Sequence, residues 1–186
     1  LFEYIDYGTA FAMPTYEHNQ REDDYETYVD GYRGPKAIRI SPLDIVFNPL
    51  SSDFKKSWKI IRSYKTLGEL KTLADTSPDD SFWKEALDGH MKLMSAANGY
   101  GIDLGERAES FAMDGFGSFQ EYLTSGYVEI LEFYGDIHCS ESGELKKGRI
   151  ITVVDRMWVA RDVSMPYWFE SAPIFHVGWR LRPDNL

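Results

Sequence analysis

The side chains in this chain best suited to chemistry are its carboxylates and its four histidines, His18, His90, His138 and His176. Asp136, His138 and Cys139 form the tightest cluster of potential metal ligands. On a strand Asp136 and His138 share a face while Cys139 points away, so only two of the three would converge. A metal needs more ligands than that, and the remaining histidines are distant in sequence. Glu129, Glu132 and Asp136 form a second set, because glycoside hydrolysis uses two carboxylates flanking the bond. On a regular strand Glu132 and Asp136 share a face about 13 Å apart, beyond the roughly 5 to 9.5 Å that such enzymes use, and Glu129 points the other way.

Nucleophile and phosphate motifs are equally sparse. The chain has no Gly-x-Ser-x-Gly elbow and no Gly-rich loop ending in Gly-Lys-Ser/Thr, and Gly99-Tyr100-Gly101 lacks the strand and helix of a dinucleotide site. A Cys-His enzyme built on Cys139 has no base marked out for it. Trp158, Trp168 and Trp179 could offer a sugar-binding platform, although buried aromatics explain them equally well. Arg180 and Arg182 would share a strand face, and Lys146-Lys147 sits in a polar stretch; such charges suit an acidic neighbour surface better than phosphate. No catalytic, cofactor-binding or metal-ligating residue is therefore assigned, and no cofactor is expected.

The elements that must position these groups follow an α+β order. Residues 1–16, rich in Tyr, Phe, Ile and Thr without helical period, predict one or two strands broken at Gly8. An acidic run over Asn19–Glu26 predicts a solvated connection, and Asp30-Gly31 predicts the tight turn of a hairpin ending near Arg39. Ser41–Asp44 should turn the chain into a short strand, Ile45-Val46-Phe47, that Asn48-Pro49 ends, with Asp44 as a local turn acceptor. Thr66-Leu67-Gly68-Glu69 has capping-box spacing and opens a helix with Leu67, Leu70 and Leu73 on one face.

Ser77-Pro78-Asp79-Asp80 predicts a second helix start, running to about Ala97 with Trp83, Leu87, Met91 and Met94 as its core stripe. Ser118-Phe119-Gln120-Glu121 opens a short helix that Ser125-Gly126 closes, and the Gly-rich stretches Gly99–Gly105 and Asp114–Gly117 read as loops. Strands are then expected over Tyr127–His138, Arg149–Asp155, Met157–Val163 and Pro173–Trp179, with a hairpin loop over Ser140–Gly148. Ile150, Ile151, Val153 and Val154 place apolar groups on both faces, as in a covered sheet or small barrel. The layout is one domain: a β region over 1–50, a mainly helical region over 51–126, and an antiparallel β meander or small barrel over 127–186.

Composition bounds the function. A chain of 186 residues with 43% hydrophobic residues can bury a sizeable core. A net charge of -10 argues against a generic nucleic-acid surface, which needs clustered Lys and Arg. The acids concentrate early, from Glu3 to Asp30, and the basic residues late, from Lys146 to Arg182. A single cysteine precludes an intrachain disulfide and favours a reducing compartment, and no apolar run reaches the length of a membrane span. Leu1-Phe2-Glu3-Tyr4 is not a signal peptide, and a start without Met predicts an excised segment.

Four stretches carry a family resemblance. Arg39-Ile-Ser-Pro-Leu-Asp-Ile-Val-Phe-Asn-Pro49, Lys59-Ile-Ile-Arg-Ser-Tyr64 and Thr66-Leu-Gly-Glu-Leu70 resemble the amino-terminal region of portal proteins, the head-to-tail connectors of short-tailed bacteriophages. Phe175-His-Val-Gly-Trp-Arg-Leu-Arg-Pro-Asp-Asn-Leu186 resembles the segment that precedes their Gly-rich stretch and long helix. The resemblance runs from about Tyr25 to the end. It implies a structural subunit of a homo-oligomeric ring, usually of twelve copies, at one vertex of the virion, assembled in the host cytoplasm. DNA would pass through the ring in packaging and ejection without sequence-specific binding. Terminase, capsid and tail adaptor proteins would be its other partners, and this chain its outer wing region. The alternative reading is a carbohydrate-binding or carbohydrate-active β-rich domain.

Overall fold

The computed structural model describes residues 2–22, 28–48, 50–51, 53–77, 82–99, 119–140, 143–166 and 171–178. The architecture is α+β: a three-stranded antiparallel sheet, a five-stranded antiparallel sheet, one helix ahead of the strands and three in the middle of the chain, between two strands of the larger sheet. The order is α1 (Phe2–Asp6), β1 (Thr9–Glu22), β2 (Tyr28–Ile40), β3 (Ile45–Phe47), β4 (Lys59–Thr66), α2 (Leu67–Thr76), α3 (Trp83–Gly99), α4 (Phe119–Thr124), β5 (Tyr127–His138), β6 (Leu145–Val154), β7 (Trp158–Ser164) and β8 (Phe175–Gly178).

The start of the chain corrects the strand expected there. Phe2–Asp6 is helical: the Tyr7 amide donates to the Glu3 carbonyl (2.9 Å), and the Glu3 carboxylate pairs with Arg39 (3.2 Å). Local hydrogen bonding plus one cross-link outweighs the β preference of the rings. Gly8, at φ 69°, then turns the chain into β1, a conformation glycine adopts without steric cost.

β1 and β2 pair from Phe11↔Ile40 outward to Glu22↔Tyr28. Asp30-Gly31 is not the turn of this hairpin. Asp30 lies opposite Gln20 inside the ladder, next to a register shift after His18, and the connection at 23–27, with most of the acidic run, lies outside the described residues. The third strand, β8, covers only Thr9–Ala12, so among the described residues the rest of the hairpin is a two-stranded ribbon. β8 therefore joins the first sheet, not the meander in which it was expected. Two prolines, Pro14 and Pro35, remove amide donors from the ribbon, which a ladder tolerates only where that position faces outward.

Ser41–Asp44 makes the expected turn: the Asp44 amide donates to the Ser41 carbonyl (2.9 Å), and the Leu43 amide donates to Ser41 Oγ (3.2 Å). Asp44 has a different role from the one expected, since its carboxylate accepts from Arg62 Nε at 3.0 Å. The region 51–126, expected to be mainly helical, holds α2, α3 and α4 and also a strand, β4, between β3 and β5. Ile60, Ile61 and Tyr64 favour extended backbone, and the strand yields to α2 at the capping box. There the Thr66 amide donates to Glu69 Oε2 (2.8 Å) and the Glu69 amide to Thr66 Oγ1 (3.3 Å).

The start of α3 at Pro78–Asp80, the loops at 100–117 and the cap at Ser118 lie outside the described residues. The inward line of α3 is Trp83, Ala86 and His90, all buried, whereas Met91 of the expected stripe is exposed. A histidine replaces methionine on the core side because it has a buried partner, described below.

β5–β7 form the meander, and among the described residues the five-stranded sheet is open, in the order β3-β4-β5-β6-β7, rather than a barrel. One face carries both cores. Phe11, Ile40, Ile45, Ile61, Tyr134 and Ile150 pack where the two sheets meet, and Leu70, Ala74, Ala86, Val128, Ile130 and Val154 pack beneath the helices. The opposite face is lined by the rows Val46-Ile60-Phe133-Ile151 and Leu131-Val153-Val159, aligned by register across the strands. None of these seven residues is buried. The apolar residues on both faces of β6 thus meet a cover on one face only, among the described residues.

Candidate functional site

The densest polar cluster sits under α3 and α4. The β6–β7 turn places Asp155 and Arg156 in left-handed backbone, φ 52° and 59°, which suits a tight hairpin turn. Asp155 points to the helix side. Its Oδ2 lies 2.7 Å from His90 Nδ1, which must carry hydrogen, since an ionised carboxylate can only accept. Its Oδ1 accepts from Tyr122 Oη, and that hydroxyl accepts in turn from the Glu129 amide at 2.7 Å. His90, Tyr122 and Asp155 are all buried. Burial and the Asp155 charge push the Tyr122 phenol far above its usual range, so it stays a donor.

Arg156 turns to the other face and holds the buried carboxylate of Glu129 with two bonds, Nε–Oε2 at 2.6 Å and Nη2–Oε1 at 2.8 Å. One turn thereby ties α3, α4, β5 and both faces of the sheet together. No buried side-chain nitrogen or oxygen among the described residues lacks a partner. The network has the residue types of a proton relay, but His90 Nδ1, Tyr122 Oη and both carboxylate oxygens of Asp155 are committed to one another and to the Glu129 amide, which is how a structural brace behaves.

Lys59 is the second unusual group. It is fully buried at the start of β4, with Nζ donating to the Ser57 carbonyl (2.7 Å) and the Lys55 carbonyl (3.3 Å) and lying 4.5 Å from the centre of the Phe54 ring. Burial pushes its pKa down to about 8, against a smaller upward pull from Asp53. Its three ammonium hydrogens face carbonyls and a ring, with no carboxylate in hydrogen-bonding reach among the described residues.

The groups singled out from sequence are not brought together. Glu129 is locked to Arg156; Glu132, on the other face, accepts from Arg161 Nη2 (3.0 Å) and Tyr134 Oη (3.2 Å); Asp136 Oδ1 accepts the Gly148 amide (2.8 Å). His138 is exposed, and among the described residues no three of His, Cys, Asp and Glu gather in a metal-sized group. Trp158 packs against Gly89 of α3, while Trp168, Trp179, Arg180 and Arg182 lie outside the described residues. Sequence reasoning passed over Tyr122, Asp155, Arg156 and Lys59, and it named His90 only as a histidine distant from the others. The available signals were a charged pair between the apolar runs of β6 and β7, and a lysine at the head of Ile60-Ile61.

No helix among the described residues is long and apolar enough to cross a membrane. No known family's sequence profile matches the chain, and none of the curated proteins matches it.

Proposed function

We propose that this chain is a structural subunit of a bacteriophage portal ring, serving as its outer wing region, and that it does no covalent chemistry of its own. The observation that carries the reading is the β1–β2 arm. Beyond Ala12 it runs, among the described residues, as two strands with no third, out to Glu22 and Tyr28. Ten residues of strand reach about 33 Å, and an isolated two-stranded hairpin is only marginally stable in water. An arm of that length exposing Tyr16, Tyr32 and Ile38 is suited to gain its remaining contacts from neighbouring subunits. The resemblance over Arg39–Leu70 and Phe175–Leu186 points to which assembly this is.

On this reading the neighbours are further copies of the chain, with terminase, capsid and tail adaptor proteins docking on the ring. DNA would cross the ring without sequence-specific binding, and an acidic subunit suits a channel whose wall must not retain phosphate. The polar network supports the same conclusion, because its buried acids are already spent on structure. Electron microscopy of the protein expressed from its complete reading frame tests the proposal. Closed rings with a central channel are expected; a uniformly monomeric population would sink it.

A further inference from the structure

We propose that the cavity between the 53–57 loop and the β5–β6 pair binds a small phosphate monoester. The cavity measures 390 Å³ and is lined by Lys55, Lys56 and Lys147, with Asp136 and Ser171 on its other walls. All three lysines are exposed, and none of them forms an ion pair among the described residues. By contrast Arg39, Arg62, Arg149, Arg156 and Arg161 each hold a carboxylate, as befits a chain with 30 acids against 20 lysines and arginines. Three ammoniums gathered around one cavity repel one another, and a bound anion relieves that repulsion. The Ser171 hydroxyl, which bonds to no protein group among the described residues, can donate to the same anion. Lys147 was read from sequence as an interface charge; the fold brings it to Lys55 and Lys56, about ninety positions away in the chain.

The backbone around the cavity is fixed by bonds that leave those groups spare. Asp53 Oδ1 accepts the Lys55 amide (2.9 Å), and the Ser57 amide donates to the Asp53 carbonyl (3.1 Å). From beneath, the buried Lys59 ammonium holds the carbonyls of Lys55 (3.3 Å) and Ser57 (2.7 Å), and the nearby charge of Asp53 offsets its own. On the opposite wall the Gly148 amide donates to Asp136 Oδ1 (2.8 Å), and the Met165 amide to the Gly148 carbonyl (2.7 Å). Gly135 lets the two walls approach, since a Cβ there would stand 2.8 Å from Trp58 Cβ.

Charge and size select the ligand. Three lysines less the one carboxylate of Asp136 leave an excess of two positive charges in the lining. A phosphate monoester carries close to two negative charges near neutral pH, whereas a phosphodiester or a carboxylate carries one. The volume falls in the range of small-molecule sites, so a phosphate leaves room for an organic part against Met165 and Ala172. Preference for a dianion also keeps the site from retaining the diester backbone of DNA. The inference stands apart from the ring reading, which requires no ligand.

Amide and phosphorus NMR titrations of the 186-residue chain test the site, with phenyl phosphate as the monoester, dimethyl phosphate as the diester, and inorganic phosphate. Phenyl phosphate should bind with a Kd of about 1 mM or below and shift the amides of Lys55, Lys56, Lys147 and Ser171. Inorganic phosphate should bind more weakly, and dimethyl phosphate about 10-fold more weakly or worse, for want of the second charge. Lys55→Gln/Lys147→Gln changes exposed side chains only, and should weaken phenyl phosphate binding about 10-fold with the thermal midpoint unchanged. Ser171→Ala should cost a smaller factor, and Lys92→Gln, on α3, none. No binding of phenyl phosphate up to about 10 mM overturns the site, as does binding that Lys55→Gln/Lys147→Gln leaves at wild-type strength. Dimethyl phosphate or inorganic phosphate bound as tightly as phenyl phosphate overturns the monoester assignment.

Discussion

Tyr122 shows how much of this structure hangs on single polar atoms. Its hydroxyl donates to Asp155 and accepts from the Glu129 amide in a buried setting, so Tyr122→Phe strands an acceptor and a donor at once. The cost should be about 2 to 3 kcal/mol in urea unfolding, and a loss below about 0.5 kcal/mol would contradict the brace reading. Lys59 gives a test by pH. Its folded pKa of about 8 lies below the unfolded 10.5, so between those values the folded chain holds fewer protons than the unfolded one. Stability should therefore rise with pH through that window, the penalty of the buried charge being complete below about pH 8 and relieved above 10.5. The Lys59 part of that rise is about 1 to 3 kcal/mol, and Lys59→Met should flatten it. Parallel pH profiles for wild type and Lys59→Met would show that the ammonium is not the cause.

Among the elements, α2 and α3 invite opposite substitutions. Thr66→Ala removes the cap of α2 and should cost about 1 kcal/mol, read from the thermal midpoint. The Glu69 carboxyl, held below its usual pKa by the Thr66 amide and hydroxyl, makes the capping contribution full above the ordinary Glu range and lost as pH falls through the lowered value. Gly89 lies mid-helix, where alanine would gain about 1 kcal/mol in propensity. A Cβ there would stand 2.3 Å from the Trp158 ring, however, and overpacking of a rigid indole costs about 1 to 3 kcal/mol. Gly89→Ala should therefore destabilise, and Trp158→Leu in the same chain should reverse the sign; a stabilising Gly89→Ala alone would refute the contact. These two helices also show what was legible from sequence. The capping box was readable because both of its bonds span three residues. The inward line of α3 was misread because His90 earns its buried place from Asp155, 65 residues away, and no local pattern carries that information. Likewise α1 and β4 escaped the reading, one fixed by Arg39 and the other by its neighbours on both sides.

At the scale of the whole molecule, stability is concentrated at the foot of the arm, where Phe11 and Ile40 enter the core and β8 adds a third strand. Amide exchange should follow that gradient: slow at Phe11 and Ile40, fast at Thr15–His18 and at Arg33, Gly34 and Lys36 in the monomer, and, on the proposed ring reading, slowed along the arm by its neighbours. Uniform protection of the arm in the monomer would mean that it already has a partner within its own chain. On the ring reading proposed above, a subunit must persist free until its neighbours arrive, with a long ribbon whose outer edges are open among the described residues. Pro14 and Pro35 interrupt those edges, so another ribbon cannot zip along them into a growing fibre. The prolines act in that interval as a kinetic safeguard: Pro14→Val/Pro35→Val should leave the folded monomer intact yet shorten the lag of thioflavin-positive aggregation several-fold.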